Sequence, residues 1–285
     1  MSFFRAPLGI LLCITSISMA SIVTNKPVQD ATITEKTPDT ADGTGVVITS
    51  GTCGSACGVL SSRALLKFNL SNSIPSNAVI TSAALTVKVV NAGATSSTFD
   101  LRKLLRDWNE SSTWNTRLAP STLWTVSGAS APVDFSSVIT QTNFIPGVGT
   151  YTFASNSNMV ADVQEWVNNP TNNFGWIVIS ESQGTGQTER KFSSREDSAN
   201  APTLVVQFSI PATPPQLLLL PHAGNQFQFS FQTESNRSYT VEYCSSLIAT
   251  NWGALTNISS TPAEVTIVVS DILVVGNRFY RVNTF

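Results

Sequence analysis

Apolar and polar residues alternate along most of the chain with the period of two that is typical of β-strands. In the stretch RALLKFNL, positions 66, 68 and 70 are apolar and share one face, whereas the opposite face is mixed. The stretch AALTVKVV places Leu85, Val87 and Val89 on one face and Lys88 on the other. A mixed second face is typical of an antiparallel strand with one buried face. Further strands are predicted at FDLRKL, GWIVIS and TLVVQFSI.

One segment has helical spacing instead. Between Met159 and Val167, the apolar residues fall at i, i+1, i+4, i+7 and i+8, which predicts one short amphipathic helix. Ser157 is the predicted N-cap, and Pro170 is expected to stop the helix soon after Val167. Trp166 lies on the apolar face, so we expect it to pack the helix against the strands rather than bind a ligand.

A proline-rich stretch divides the chain. SIPATPPQ, at residues 209–216, has three prolines, which favour an extended linker. We place the linker at residues 210–215, a larger domain at residues 21–209 and a smaller one at residues 216–285. The smaller domain is also rich in strand patterns, including QFQFSFQ, SYTVEYCSS, AEVTIVVS and NRFYRVNTF. The predicted fold class is all-β: a β-sandwich with one short helix, followed by a second small β-sandwich-like module.

The first twenty residues have the features of a cleaved signal peptide. Arg5 precedes an apolar run from Ala6 to about Ile17, and Ser18-Met19-Ala20 has small residues at the two positions a signal peptidase reads. The apolar run is shorter than the roughly 20 residues of a spanning helix, and no later segment resembles a membrane span. We expect cleavage near Ala20 and a secreted, extracellular protein.

Composition and charge argue against several classes of function. The net charge is -2 with 12% charged residues, and the sequence has no run of basic residues that could bind the phosphate backbone of a nucleic acid. The single histidine, His222, has no Ser or Cys nucleophile beside it in sequence, and the carboxylates are scattered. No glycine-rich loop has the lysine and the strand-to-helix context of a phosphate-binding loop. We expect no enzymatic activity and no catalytic residues.

The cysteines suit an oxidising compartment. Once the signal peptide is removed, Cys53, Cys57 and Cys244 remain. No second Cys or His pair follows Cys53 and Cys57 to complete a zinc site, so a disulfide between them is the better interpretation. Cys244 is then a free thiol. Strand alternation places it with Thr240 and Glu242, which predicts partial exposure.

Four blocks in order resemble a known family. They are RALLKFNLSNSIPSNAVITSAALTVKV, LRDWNESSTWNTRLAP, VADVQEWVNNPTNNFGWIVIS and KFSSREDSANAPTLVVQF. Together, over roughly residues 26–209, they resemble the DNRLRE domain family, also classed as carbohydrate-binding module family 96. The resemblance implies an extracellular, jelly-roll-like β-sandwich, and some members of the family bind acidic polysaccharides such as alginate. The tail resembles small C-terminal β modules of secreted bacterial proteins.

The second block contains the stretch RDWNESSTWN, at residues 106–115, whose two tryptophans could serve as a sugar platform or as scaffold. Asp107, Asn109 and Asn115 can bond the loop backbone, as Asx residues do in turns. Trp108 and Trp114 can pin the loop to the sandwich. We favour scaffold, because most large aromatic side chains are substantially buried.

The leading hypothesis is a non-catalytic carbohydrate-binding protein for an acidic polysaccharide. The alternative is a structural or adhesive protein that works through protein–protein contacts with cell-surface or matrix partners. The side chains that could bind an anionic sugar are outward-facing cations on consecutive strands: Lys67, Lys88 and Arg102. For each of them the competing interpretation is an ordinary solvated surface charge.

No organic cofactor is expected, but a structural calcium ion is a further hypothesis. Asp30 and Asp197 would meet if the first and last strands of the larger domain pair. Two carboxylates supply fewer than the 6–8 oxygen ligands that calcium takes. The alternative is that both are exposed turn residues.

Overall fold

A computed structural model describes residues 20–221, 224–248, 251–272 and 277–285. The described chain divides into two compact units, Ala20–Ser209 and Ile210–Phe285. The predicted signal peptide, apart from Ala20, and His222 lie outside the described residues. Within these ranges, no helix is long and apolar enough to cross a membrane.

The larger unit is built from short strands and one α-helix, α1 (Ser157–Asn168). Its strands are β1 (Ala20–Asn25), β2 (Pro27–Thr34), β3 (Val47–Thr52), β4 (Ser61–Phe68), β5 (Val79–Ala92), β6 (Ser97–Lys103), β7 (Thr116–Leu118), β8 (Thr122–Leu123), β9 (Gln141–Ile145), β10 (Gly149–Phe153), β11 (Trp176–Ser180), β12 (Arg190–Ser193) and β13 (Thr203–Ser209).

Eleven of these strands form one curled antiparallel sheet. Its path runs β1-β13-β5-β12-β3-β4-β11-β6-β9, with β10 added to β5 and β2 added to β4. The curl folds the β5 part and the β4 part into a sandwich-like arrangement. The predicted all-β, sandwich-like fold is confirmed.

The strand patterns explain the core. In β5, Leu85, Val87 and Val89 are buried, and the residues between them are half-buried, as the alternation predicts. In β4, however, Leu65 on the mixed face is also fully buried. A long loop covers this face, and alternation within a strand carries no information about what packs on it from elsewhere in the chain.

Helix α1 is present as predicted, with one correction at its start. The N-cap is Asn156 rather than Ser157: the Asn156 side chain accepts a hydrogen bond from the Met159 amide at 2.8 Å. Asn caps a helix as well as Ser does, and the two residues are adjacent. Trp166 is buried, with its ring centroid 4.5 Å from that of Trp176. The predicted packing role of Trp166 is therefore confirmed.

Arg190 is the largest buried charged side chain of the larger unit, with 0% of its surface exposed. Its guanidinium donates hydrogen bonds of 2.8–3.2 Å to the backbone carbonyl oxygens of Gly93, Thr95, Ile145, Pro146, Thr188 and Glu189. Burial lowers the pKa of Arg190. The side chain ties the loop after β5 and the β9–β10 turn to β12.

The described strands of the smaller unit are β14 (Leu218–Leu219), β15 (Gln226–Gln232), β16 (Tyr239–Cys244), β17 (Gly253–Ile258), β18 (Thr266–Ile272) and β19 (Phe279–Thr284). They form two three-stranded sheets, β14-β15-β18 and β17-β16-β19. Phe227, Phe229 and Phe231 of β15 face Tyr239 and Val241 of β16 across a compact core.

Cys53 and Cys57 form a disulfide, as predicted, with their Cα atoms 6.2 Å apart. Cys244 is free, but the expected partial exposure is wrong, because only 4% of its surface is accessible. It is the last residue of β16, opposite Phe279 of β19, and the alternation of buried and exposed residues does not hold to the end of the strand.

These thiols give a direct test on the chain that begins at Ser21. We expect alkylation to label no cysteine in the native protein, one after denaturation without reductant, and three after reduction, as read by intact mass. Three labels without reductant would contradict the pairing. The disulfide closes a short loop, so reduction should cost at most about 2 kcal/mol in the free energy of unfolding.

Candidate functional site

The tryptophan-rich stretch belongs to a loop that covers the outer face of β4 and β11. Trp108, Trp114 and Trp124 are 3%, 8% and 4% exposed, and they pack with Leu65 and Ile177 in one apolar cluster. Exposed rings are needed for a sugar platform, and these rings are buried. The stretch is scaffold, as the sequence favoured.

Hydrogen bonds fix this loop. The indole nitrogen of Trp108 donates to the Phe174 carbonyl oxygen at 2.7 Å, and that of Trp124 donates to the Thr113 carbonyl oxygen at 3.0 Å. Asn109 accepts a bond from the Ser111 amide at 2.9 Å, which is the predicted Asx turn.

Two other residues of the stretch bond more widely than predicted. The Asn115 side chain donates to the Asp39 carboxylate at 2.8 Å, rather than to backbone of its own loop. Asp107 accepts an ion-paired hydrogen bond from Arg117. Asn115 and Asp39 are 76 positions apart, so the hydrogen bond between them could not be predicted from neighbouring residues in the sequence.

Asp134 is a structural residue that the sequence analysis missed. Its buried carboxylate accepts hydrogen bonds from the Thr125 amide, the Thr125 hydroxyl and the Ser130 amide at 2.8–3.2 Å. It closes the far end of the tryptophan loop. In the sequence, Asp134 is an aspartate among turn residues, and this context does not distinguish a buried, hydrogen-bonded carboxylate from a solvated one.

The structure separates the three predicted sugar-binding cations. Lys67 lies on β4, which pairs with β2, β3 and β11, whereas Lys88 lies on β5, which pairs with β10, β12 and β13. The two lysines are therefore on consecutive but not adjacent strands. Arg102 lies on β6, two strands from β4 across β11. They do not form one basic patch.

The three cations also differ in their partners. Lys88 donates to the Asn200 side chain at 2.8 Å. Arg102 is ion-paired to Asp100 at 2.6 Å and donates to the Ser137 carbonyl oxygen at 2.8 Å. The Lys67 ammonium has no hydrogen-bond or ion-pair partner among the described residues. Of the three, Lys67 has its donors available for a ligand.

Lys67 lines a cleft of about 410 Å³ at the end of β4. Gln29, on β2, is its register partner, and the Gln29 Oε1 atom is buried with no hydrogen-bond partner in the described chain. Asn173 donates to the Phe68 carbonyl oxygen at 2.7 Å and so fixes the cleft wall. The cleft is lined by Val28, Gln29, Lys67, Phe68, Asn69, Ser71, Pro170 and Asn173.

Arg102 lines a second cleft of about 410 Å³. Here the charges compensate each other, because Arg63 and Arg102 face Asp100 and Glu181. Burial raises the pKa of Glu181, and a shared hydrogen bond with Asp100 raises it further. Burial lowers the pKa of Arg63 to about 10. Arg63 is also occupied, since it donates to the Gly128 and Ala129 carbonyl oxygens.

The two predicted calcium ligands lie in different environments. The Asp197 carboxylate accepts hydrogen bonds from Ser193 and Asn200 at 2.9 Å, and these bonds lower its pKa. Asp30 instead lies with Glu110 and Glu196, and one carboxylate oxygen from each of the three is within 4.8 Å of the others. Asp197 is not a member of this cluster. The preceding residue, Glu196, takes that place.

Asp30 is fully buried at the centre of that cluster. Its Oδ2 atom accepts a hydrogen bond from the Arg195 amide at 2.6 Å, while its Oδ1 atom has no partner within the described ranges. The pKa of Asp30 is raised to about 7, mainly by burial and also by the nearby charges of Glu196 and Glu110, while the backbone hydrogen bond and charge of Arg195 act in the opposite direction. The Arg195 guanidinium bonds Glu110 at 2.6 and 2.9 Å.

In a comparison with family models, one model matches the larger unit from its first strand through the tryptophan-rich loop. Residues 21–138 match the model of carbohydrate-binding module family 96. This match suggests carbohydrate binding and a non-catalytic role. Both Lys67 and Lys88 lie within the matched residues, as do Asp30 and Glu110. A search of curated proteins finds no match to this chain.

Proposed function

We propose that the larger unit is a non-catalytic, extracellular module that binds an acidic polysaccharide in the cleft containing Lys67. The observation that carries the proposal is that the Lys67 ammonium, which has no partner among the described residues, lies in a polar cleft and within the residues that match the family 96 model. The signal peptide predicted at residues 1–20 supports an extracellular polysaccharide as the ligand.

The cleft chemistry suits an anionic sugar. Lys67 supplies the one charge among the described lining residues, so a uronate carboxylate would meet no like charge there. Charge-assisted hydrogen bonds are roughly twice as strong as neutral ones. The Gln29 Oε1 atom, which lacks a partner in the described chain, can accept a hydrogen bond from a sugar hydroxyl, and the Asn69 and Ser71 side chains offer further polar contacts. The second cleft is less suitable, because its cations are already paired.

Lys67→Gln removes the charge and keeps most of the side-chain length. We expect it to weaken binding to alginate or polygalacturonate oligosaccharides by about 10- to 100-fold, since a hydrogen bond to a charged group contributes about 1.5–3 kcal/mol. The salt dependence of the remaining binding should also decrease. Isothermal titration calorimetry at two salt concentrations measures both effects.

Lys88→Gln is the matched control, because it removes the same charge from β5, where the ammonium bonds Asn200. It should bind the acidic oligosaccharides like the parent protein. Equal weakening by the two substitutions would contradict a specific role for the Lys67 cleft. Failure of the parent protein to bind any acidic or neutral glycan at millimolar concentration would favour the structural or adhesive alternative.

A further inference from the structure

We propose that Asp30, Glu110 and Glu196 form a calcium-binding site that joins three separate segments of the larger unit. Asp30 lies on β2, Glu110 lies in the tryptophan loop after β6, and Glu196 lies in the turn after β12. The proposal is independent of the glycan cleft and of any sugar ligand.

The charge of the cluster fits a divalent cation. Three carboxylates face one another, and the Arg195 guanidinium is the cation paired with them, at 2.6 Å from Glu110 and 3.0 Å from Glu196. When all four groups are ionised, their net charge is -2. A partly buried excess of negative charge is costly unless a cation compensates it.

The buried carboxylate of Asp30 points independently to a ligand. Asp30 is 0% exposed, and its Oδ1 atom has no hydrogen-bond partner in the part of the chain that the structure describes. Most buried polar atoms are hydrogen-bonded, so an unpaired carboxylate oxygen requires an explanation such as a bound ion. A cation held between Asp30 and the two glutamates would satisfy it.

Neighbouring oxygen atoms extend the set of possible ligands. The Ser194 hydroxyl lies 2.9 Å from the Glu196 Oε2 atom and 2.7 Å from the Gly45 carbonyl oxygen. The backbone at Gly43 approaches Glu110 so closely that a Cβ atom there would lie 2.4 Å from the Glu110 carbonyl oxygen. The loop that contains both glycines is therefore packed against the cluster.

An all-oxygen set from irregular loops favours calcium. Calcium takes 6–8 oxygen ligands in flexible geometry, whereas magnesium requires a near-ideal octahedron and retains several waters. Sulfur and imidazole ligands, which soft transition metals prefer, are absent from the described cluster. The three carboxylates, neighbouring oxygens and water can supply the number that calcium needs.

The test is a calcium titration of the chelator-treated full chain from Ser21, followed by calorimetry and thermal unfolding. We expect saturable binding of about one calcium ion per chain and a rise in the melting temperature of the larger unit. Asp30→Asn and Glu196→Gln should each weaken calcium binding at least tenfold and remove most of the rise. Both substitutions preserve side-chain volume, and circular dichroism checks that each variant is folded.

Glu264→Gln, in the smaller unit, is the charge-matched control and should leave calcium binding unchanged. An absence of calcium binding and stabilisation in the parent chain at millimolar calcium would overturn the proposal. Equal calcium effects in the parent, Asp30→Asn and Glu196→Gln would also overturn it, since the ion would then lie elsewhere. Equal affinity for magnesium would overturn the assignment to calcium.

Discussion

Replacing Trp108 by Ala is expected to lower the free energy of unfolding of the larger unit by about 3–5 kcal/mol, as for other buried aromatic truncations. Trp108 is 3% exposed in the apolar cluster with Trp124 and Leu65, and its indole nitrogen bonds the Phe174 carbonyl oxygen. The substitution leaves a cavity and an unsatisfied carbonyl oxygen. Urea denaturation followed by intrinsic fluorescence measures the loss.

Two variants separate packing from other effects. Trp108→Phe keeps an aromatic ring but removes the indole donor, and should cost less than Trp108→Ala. Trp252→Ala, at a half-buried residue of the smaller unit, should leave the unfolding of the larger unit unchanged. If Trp108→Ala abolished glycan binding while leaving stability unchanged, the stretch would be a ligand platform and the scaffold interpretation would be wrong.

Replacing Arg190 by Met should be comparably severe, with a loss of at least about 3 kcal/mol in the free energy of unfolding. The guanidinium donates to carbonyl oxygens of separate chain segments, including those of Thr95 and Ile145. Met fills most of the volume but donates no hydrogen bond, so several buried carbonyl oxygens lose their partner. Thermal and urea unfolding measure the effect.

The controls for Arg190 test the geometry of the donors. Arg190→Lys retains a positive charge without the planar set of donors and should recover only part of the lost stability. Arg117→Met removes a half-buried arginine whose ion pair with Asp107 is close to solvent, and should cost less than about 1 kcal/mol. Similar losses for Arg190→Met and Arg117→Met would contradict the structural role assigned to Arg190.

The sequence predicted the features that depend on local periodicity. Alternation in β5 identified Leu85, Val87 and Val89 as buried, and helical spacing identified α1 with Trp166 on its packed face. Both predictions succeed because a strand or helix presents its faces at a fixed period. The Cys53–Cys57 disulfide could also be predicted from the sequence, because the two residues are close together in the chain and no further Cys or His pair completes a metal site with them.

The sequence could not predict what distant segments bring together. Leu65 appeared half-exposed because the loop that buries it begins about 40 positions later. Asp30 was one of the two predicted calcium ligands, but the carboxylates beside it in the structure are those of Glu110, from that same loop, and Glu196, one position from the expected Asp197. Lys67 and Lys88 appeared to be neighbours because their strands are consecutive, whereas strand order in the sheet is set by pairing over long separations.

The most direct test of the central claim is an NMR titration of the isotope-labelled chain with an acidic uronate oligosaccharide and a neutral oligosaccharide of equal length. The account predicts that the acidic ligand shifts the side-chain amide signals of Gln29, Asn69 and Asn173 around the Lys67 cleft, that Lys67→Gln suppresses these shifts, and that the neutral ligand has little effect. Shifts confined to the Arg102 cleft or to the smaller unit, or no shifts with either ligand, would contradict it.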